Sequence, residues 1–152
     1  MSNVNELKQL DNQHNVEKMR LLKYIKENSG KDIDNIIESY VKEDMLETWQ
    51  RIAKESKDTE IEDLIEILWN KMCKNGGFEY SVSKTESGTQ ITCTYCPYVE
   101  LAKEAKATDI GFKLYCASDQ YIVDGFNDKI GFKRTKTLME GHECCNHFYY
   151  YK

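Results

Sequence analysis

Residues 78–97 read Phe78-Glu79-Tyr80-Ser81-Val82-Ser83-Lys84-Thr85-Glu86-Ser87-Gly88-Thr89-Gln90-Ile91-Thr92-Cys93-Thr94-Tyr95-Cys96-Pro97. Phe78, Tyr80 and Val82 alternate with polar residues, the period of a strand with one buried face. Glu86-Ser87-Gly88 is a turn, and residues 89–94 return as the partner strand. Proline fixes a helical φ and has no N–H to lose, so Pro97 opens a short helix expected over residues 98–107. A second helix is expected over residues 112–124, ended by Gly125. Residues 130–138 alternate again, Gly141 turns the chain, and residues 144–151 close as the last strand. Hairpin, helix, helix, hairpin predicts an α+β fold: an antiparallel four-stranded sheet with helices packed on one face.

Upstream the apolar period is helical. Leu7, Leu10, Met19, Leu22 and Ile25 mark a helix over residues 4–27, punctuated by Ser29-Gly30. Ile33, Ile36, Ile37, Tyr40, Val41, Met45, Trp49 and Ile52 form one stripe over residues 32–54. A third helix starts near Thr59, where Thr59-x-x-Glu62 fits a capping box. It carries Ile61, Leu64, Ile65, Leu68 and Met72 and stops at Asn75-Gly76-Gly77. This half holds no catalytic constellation and reads as a scaffold, a lid or a homodimer-forming element. The expected organisation is a helical region, 1–75, and a cysteine-rich α+β region, 76–152, within one domain.

Of 152 residues, 40% are hydrophobic and 31% charged, with ten tyrosines, which is the composition of an ordered chain. The formal charge of −5 resides in residues 1–72, with 16 acidic and 11 basic side chains, so no basic stripe suits a nucleic acid. No apolar run reaches the roughly 18–20 residues that cross a bilayer, and the polar start has no signal-peptide core. A cytoplasmic protein that avoids membranes is therefore expected. All six cysteines lie between Cys73 and Cys145, and in a reducing compartment such cysteines are usually buried, metal-bound or catalytic.

Three clusters carry chemistry. Cys96 precedes Pro97 at the N-cap, where free N–H groups and the helix dipole favour a thiolate; Cys93 falls on the other face of the incoming strand. Cys116 and Asp119 stand three apart on one helix face, flanked by Tyr115, Ile122 and Phe126. Cys145 and His147 share a strand face and could form a thiol–base pair or bind a metal, or simply fill a sheet–helix interface. Arg134 and Lys136 are expected on one face of the preceding strand, where a guanidinium suits a carboxylate-bearing small molecule.

The series Cys96-Pro97, Cys116-x-x-Asp119, Phe126-Asn127, Arg134-Thr135-x-Thr137-Leu138, Gly141 and Cys145 is similar to the L-2-amino-thiazoline-4-carboxylic acid hydrolase family. The resemblance covers the C-terminal third of the chain. It implies hydrolytic opening of a cyclic amidine-like amino acid, at a non-peptide C–N centre, to a carbamoyl-cysteine. Cys96, Cys116, Asp119 and Cys145 would be catalytic, with Arg134, Thr137 and Tyr115 binding substrate. In one mechanism Cys96 attacks and Asp119 handles the proton. In another, Cys96, Cys116 and Cys145, with His147 or Asp119, hold a divalent metal such as zinc that activates water. The layout is also similar to 4-vinyl reductase-type modules, which implies a sensory domain that binds a small molecule or metal without turnover. A structural zinc protein is the third expectation.

Overall fold

The computed structural model describes residues 2–152 and, for side chains, residues 3–152. Helix α1 spans Ser2–Asn28 and α2 Ile33–Glu55, joined through Gly30 at φ +65°. Asp32 caps α2, its carboxylate accepting from the Asn35 N–H at 3.1 Å. Helix α3 (Ile61–Ile65) continues as a π-helical stretch, Glu66–Cys73. Its start lies one residue beyond the expected capping box: Asp63 accepts from the Glu60 N–H at 3.0 Å, whereas Glu62 reaches out to Lys84. Gly77, at φ +90°, turns the chain into the sheet.

Strands β1 (Glu79–Thr85) and β2 (Gly88–Tyr95) form the first hairpin. Helix α4 (Pro97–Glu104) follows, with Pro97 at its first position. The single helix expected over residues 112–124 is instead α5 (Thr108–Gly111) running into a π-helical stretch (Phe112–Cys116), then α6 (Ser118–Phe126). The Ala117 N–H reaches back to the Phe112 carbonyl at 2.8 Å, the five-residue step of a π-turn. Gly125 does not end α6. It lies inside the helix, where a Cβ would sit 3.0 Å from both the Leu46 carbonyl oxygen and Trp49 Cβ, so its missing side chain lets α2 and α6 touch.

Strand β3 covers Ile130–Lys133 and β4 Cys145–Tyr151, giving the antiparallel order β1-β2-β4-β3. The fold is thus the expected α+β arrangement of helices and a four-stranded antiparallel sheet. β3 is shorter than its alternation suggests because the Asn146 side chain takes the N–H groups of Thr135 and Lys136, at 3.0 and 2.7 Å, and draws the chain off the ladder. A short 3₁₀ turn, Leu138–Glu140, then replaces the expected end of the strand.

Two apolar clusters hold these elements. One joins Trp49, Leu64, Trp69, Val123 and Phe126 to the sheet residues Ile91, Ile130 and Tyr149. The other joins Met19, Ile37, Val41, Ala102 and Ile110 among the helices. Met45, Cys96 and Leu138 pack against both. Residues from both halves of the chain share each cluster.

Candidate active site

The pairings Ile91↔His147, Cys93↔Cys145 and Thr89↔Tyr149 put one face of β2 and β4 against the helices. Cys145, His147 and Tyr149 are therefore buried in succession along β4, as period-two geometry requires. Above them stand Trp69 and Cys73 from one π-helical stretch and Phe112 and Cys116 from the other. Asp119 follows at the start of α6.

Arg134 Nη1 donates to Asp119 Oδ2 and, at 2.9 Å, to the Cys116 carbonyl. Its guanidinium lies 5.8 Å from each of the Phe112 and Phe132 rings. Burial pushes the Asp119 carboxyl up, while His147 and Arg134 favour its ionised form. His147 Nδ1 lies 3.7 Å from Asp119 Oδ2, too far for a hydrogen bond, and this buried nitrogen has no partner among the described residues. The imidazole is held edge-on to Trp69 at 4.9 Å and tilted against Phe132 at 5.6 Å.

Cys145 differs from the other thiols here. The Leu138 N–H donates to its sulfur at 3.2 Å, and the neighbouring Cys93 and His147 side chains also favour its ionised form. Together they outweigh burial and hold Cys145 well below the ordinary thiol range. Cys93 is pushed up by the neighbouring Cys145 and by burial, so it keeps its proton, which it donates to the Tyr95 carbonyl at 3.2 Å. Cys96 is the N-cap of α4 as expected, and the N–H groups of Val99 and Tyr98 favour its thiolate. Burial is the larger effect and pushes Cys96 up to about 11. Burial also raises Cys73, to about 12, and Cys116, and the Asp119 charge adds to both.

Of the residues singled out in the sequence, Cys96, Cys116, Asp119, Arg134, Cys145 and His147 converge, each perturbing at least one other. Tyr115 does not join them. It stacks on Tyr98 at 4.1 Å and donates to Asn15 on α1 at 2.7 Å. Thr137 caps the 3₁₀ turn, its hydroxyl donating to Glu140 at 2.7 Å and accepting from the Glu140 N–H at 3.2 Å. Arg134 and Lys136 do not share a strand face. Beyond β3, Arg134 turns into the helices, and Lys136 pairs with Glu143 at the surface. The zinc set Cys96, Cys116, Cys145 and His147 is not assembled either: among the described residues, no three His, Cys, Asp or Glu side chains are placed to hold a metal. The Cys145 sulfur instead accepts from the Leu138 N–H. Trp69, Cys73 and Phe112 carry no motif, and only the unforeseen π-helical turns bring them in.

A buried thiol drawn below its ordinary range, with an imidazole and a carboxylate nearby under a helix-covered antiparallel sheet, defines a candidate thiol-centred site. The chain belongs to the L-2-amino-thiazoline-4-carboxylic acid hydrolase family, whose model matches residues 12–149, N-terminal helices included. No curated protein matches it. Among solved structures it is similar to trafficking protein particle complex subunit 3 from Naegleria fowleri, covalently bound to palmitic acid. The TM-score is 0.57 and the identity 12%, over 95% of this chain and 96% of that one, which shows a shared fold. No helix among the described residues is long and apolar enough to cross a membrane.

Proposed function

We propose that this protein hydrolyses a small cyclic amidine or thiazoline acid, such as L-2-amino-thiazoline-4-carboxylate, with Cys145 rather than Cys96 as the nucleophile. The observation that carries this reading is the contrast between thiols. Cys145 accepts from the Leu138 N–H and is drawn below the ordinary thiol range by Cys93 and His147 beside it, whereas burial pushes Cys73, Cys96 and Cys116 up. Family membership supports this substrate class.

In this mechanism the Cys145 sulfur adds to ring carbon 2, and the electron pair of the C=N bond moves to the ring nitrogen. That nitrogen takes the proton of the His147 imidazolium. Collapse expels the ring sulfur, which takes a proton from the exocyclic amino group to become the substrate's own thiol, and leaves an isothiourea carbon on Cys145. Water attacks that carbon and gives a proton to neutral His147. The hydroxyl proton passes to the amidine nitrogen as collapse returns the Cys145 thiolate and releases a carbamoyl-cysteine. Asp119 orients the imidazole and stabilises its charged form once the 3.7 Å gap closes. Arg134 favours the ionised form of Asp119 against its burial, and its N–H groups not used by Asp119 and Cys116 bind the substrate carboxylate. The test is mass-spectrometric detection of ring opening by wild type and Cys145→Ser. Turnover that survives Cys145→Ser at the wild-type rate defeats the assignment.

A second reading follows from the neighbour's covalently bound palmitic acid: a 4-vinyl reductase-type module that holds a ligand on a buried cysteine without turnover. Its signature is a stable mass adduct on freshly purified protein, together with no ring opening.

A further inference from the structure

Cys93 and Cys145 are directly opposed across β2 and β4. Opposed residues of an antiparallel pair have Cα atoms about 4.5–5.5 Å apart, inside the roughly 4.4–6.8 Å span that a disulfide bridges. Both side chains point to the same buried face. Both cysteines are free thiols here. Among the described residues this is the one opposed cysteine pair in the sheet register.

We propose that Cys93 and Cys145 form a reversible dithiol–disulfide couple, an oxidative modification site that captures the nucleophile of the hydrolase reading on which it rests. The oxidant class is a peroxide. The Cys145 sulfur attacks the peroxide oxygen and becomes a sulfenic acid, while the leaving hydroxide takes up a proton to become water. Cys93 sulfur then attacks the Cys145 sulfur, loses its proton and expels hydroxide, which that proton neutralises. Two thiols and one hydrogen peroxide give one disulfide and two waters. The register brings the resolving thiol to the site of oxidation without backbone rearrangement. Cys96, Cys116 and Cys144 have no such opposed position: Cys96 caps a helix, Cys116 ends a π-helical stretch, and Cys144 precedes β4.

The experiment exposes native full-length protein to stoichiometric hydrogen peroxide, quenches with an alkylating reagent in denaturant, and maps peptides by mass spectrometry. The expected result is equal loss of alkylatable Cys93 and Cys145, a crosslinked peptide lacking two hydrogens, and full recovery with dithiothreitol. In Cys93→Ala, the same dose leaves Cys145 as a sulfenic acid, and a second equivalent drives it to sulfinic acid that dithiothreitol does not reverse. Oxidised wild type in which Cys93 stays fully alkylatable, or in which Cys145 pairs with another cysteine, overturns the proposal. The mapping needs no turnover, so a protein inactive on every thiazoline still tests the couple, and an active one without the crosslink retains the hydrolase reading alone.

Discussion

In the helix–helix cluster, Met19, Ala102 and Ile110 are enclosed by other apolar side chains. In the sheet–helix cluster, Ile91 and Ile130 are enclosed to the same degree, yet beside them lie the Cys145 thiol, an imidazole and a carboxylate–guanidinium pair. The first cluster stabilises only by area and fit. The second contains polar groups whose desolvation must be offset by partners, and one of them, His147 Nδ1, has none among the described residues. Stability placed in one region and chemistry in the other is the pattern expected where a site is supported at some cost to the fold.

The sharpest way to break this contrast is Cys145→Ser. Turnover is expected to fall by about a thousandfold or more, because a serine hydroxyl stays protonated where the thiol ionises. Circular dichroism should show a folded protein. The thiolate also has a pH signature. The folded-state pKa of Cys145 is depressed, so its stabilising contribution is present above the ordinary thiol pKa and is lost as pH falls through the depressed value. Urea melts should therefore show a wider gap between wild type and Cys145→Ser at pH 8 than at pH 5. A constant gap would remove the thiolate from the account.

Next in size is Arg134→Leu, which leaves Asp119 buried and unpaired. Losing one partner of such a pair costs about 3–5 kcal/mol. Asp119→Leu/Arg134→Leu should regain much of that loss in urea titrations while remaining inactive. Met19→Ala in the other cluster should cost about 2–5 kcal/mol by the same titration, through lost transfer energy and a residual cavity. Turnover per folded molecule should not change, and a fall in it would mean that the two regions are not separable.

The fold was more legible than the site, and the difference has a physical basis. Residues 78–94 and 144–151 alternate at period two because one face is buried, and burial is written directly in residue type. Cys145 and His147 were legible together for the same reason. Residues 134–138 misled because Arg134, Lys136 and Leu138 keep the alternation of a strand, while a side chain eleven residues from Thr135, Asn146, takes the backbone N–H groups the ladder needs. Cys96 looked like the thiolate because its helix-capping position is local, whereas the burial that outweighs it depends on Cys96 packing against both clusters. Trp69 and Phe112 were missed because a π-turn shifts a helix face by one residue and has no residue code.

Gly125→Ala gives the smallest effect and sharpens the boundary between the regions. The glycine belongs to α6, the helix that also carries Asp119, and it faces α2 rather than the sheet. An added methyl would meet the Leu46 carbonyl oxygen and Trp49 Cβ at 3.0 Å each, both too rigidly held to yield freely. Alanine favours a helix interior over glycine by up to about 1 kcal/mol, so the crowding acts against an intrinsic gain. Overpacking of this kind costs about 1–3 kcal/mol, and a net loss near the lower end is expected in urea titration. Because α6 would be displaced away from α2, Asp119 would move with it, and turnover should fall severalfold although no atom of the thiol site is altered. Unchanged stability would mean that α2 yields to the methyl group. Unchanged turnover with the stability loss would mean that Arg134, holding both Asp119 and the Cys116 carbonyl, fixes the carboxylate independently of the helix that bears it.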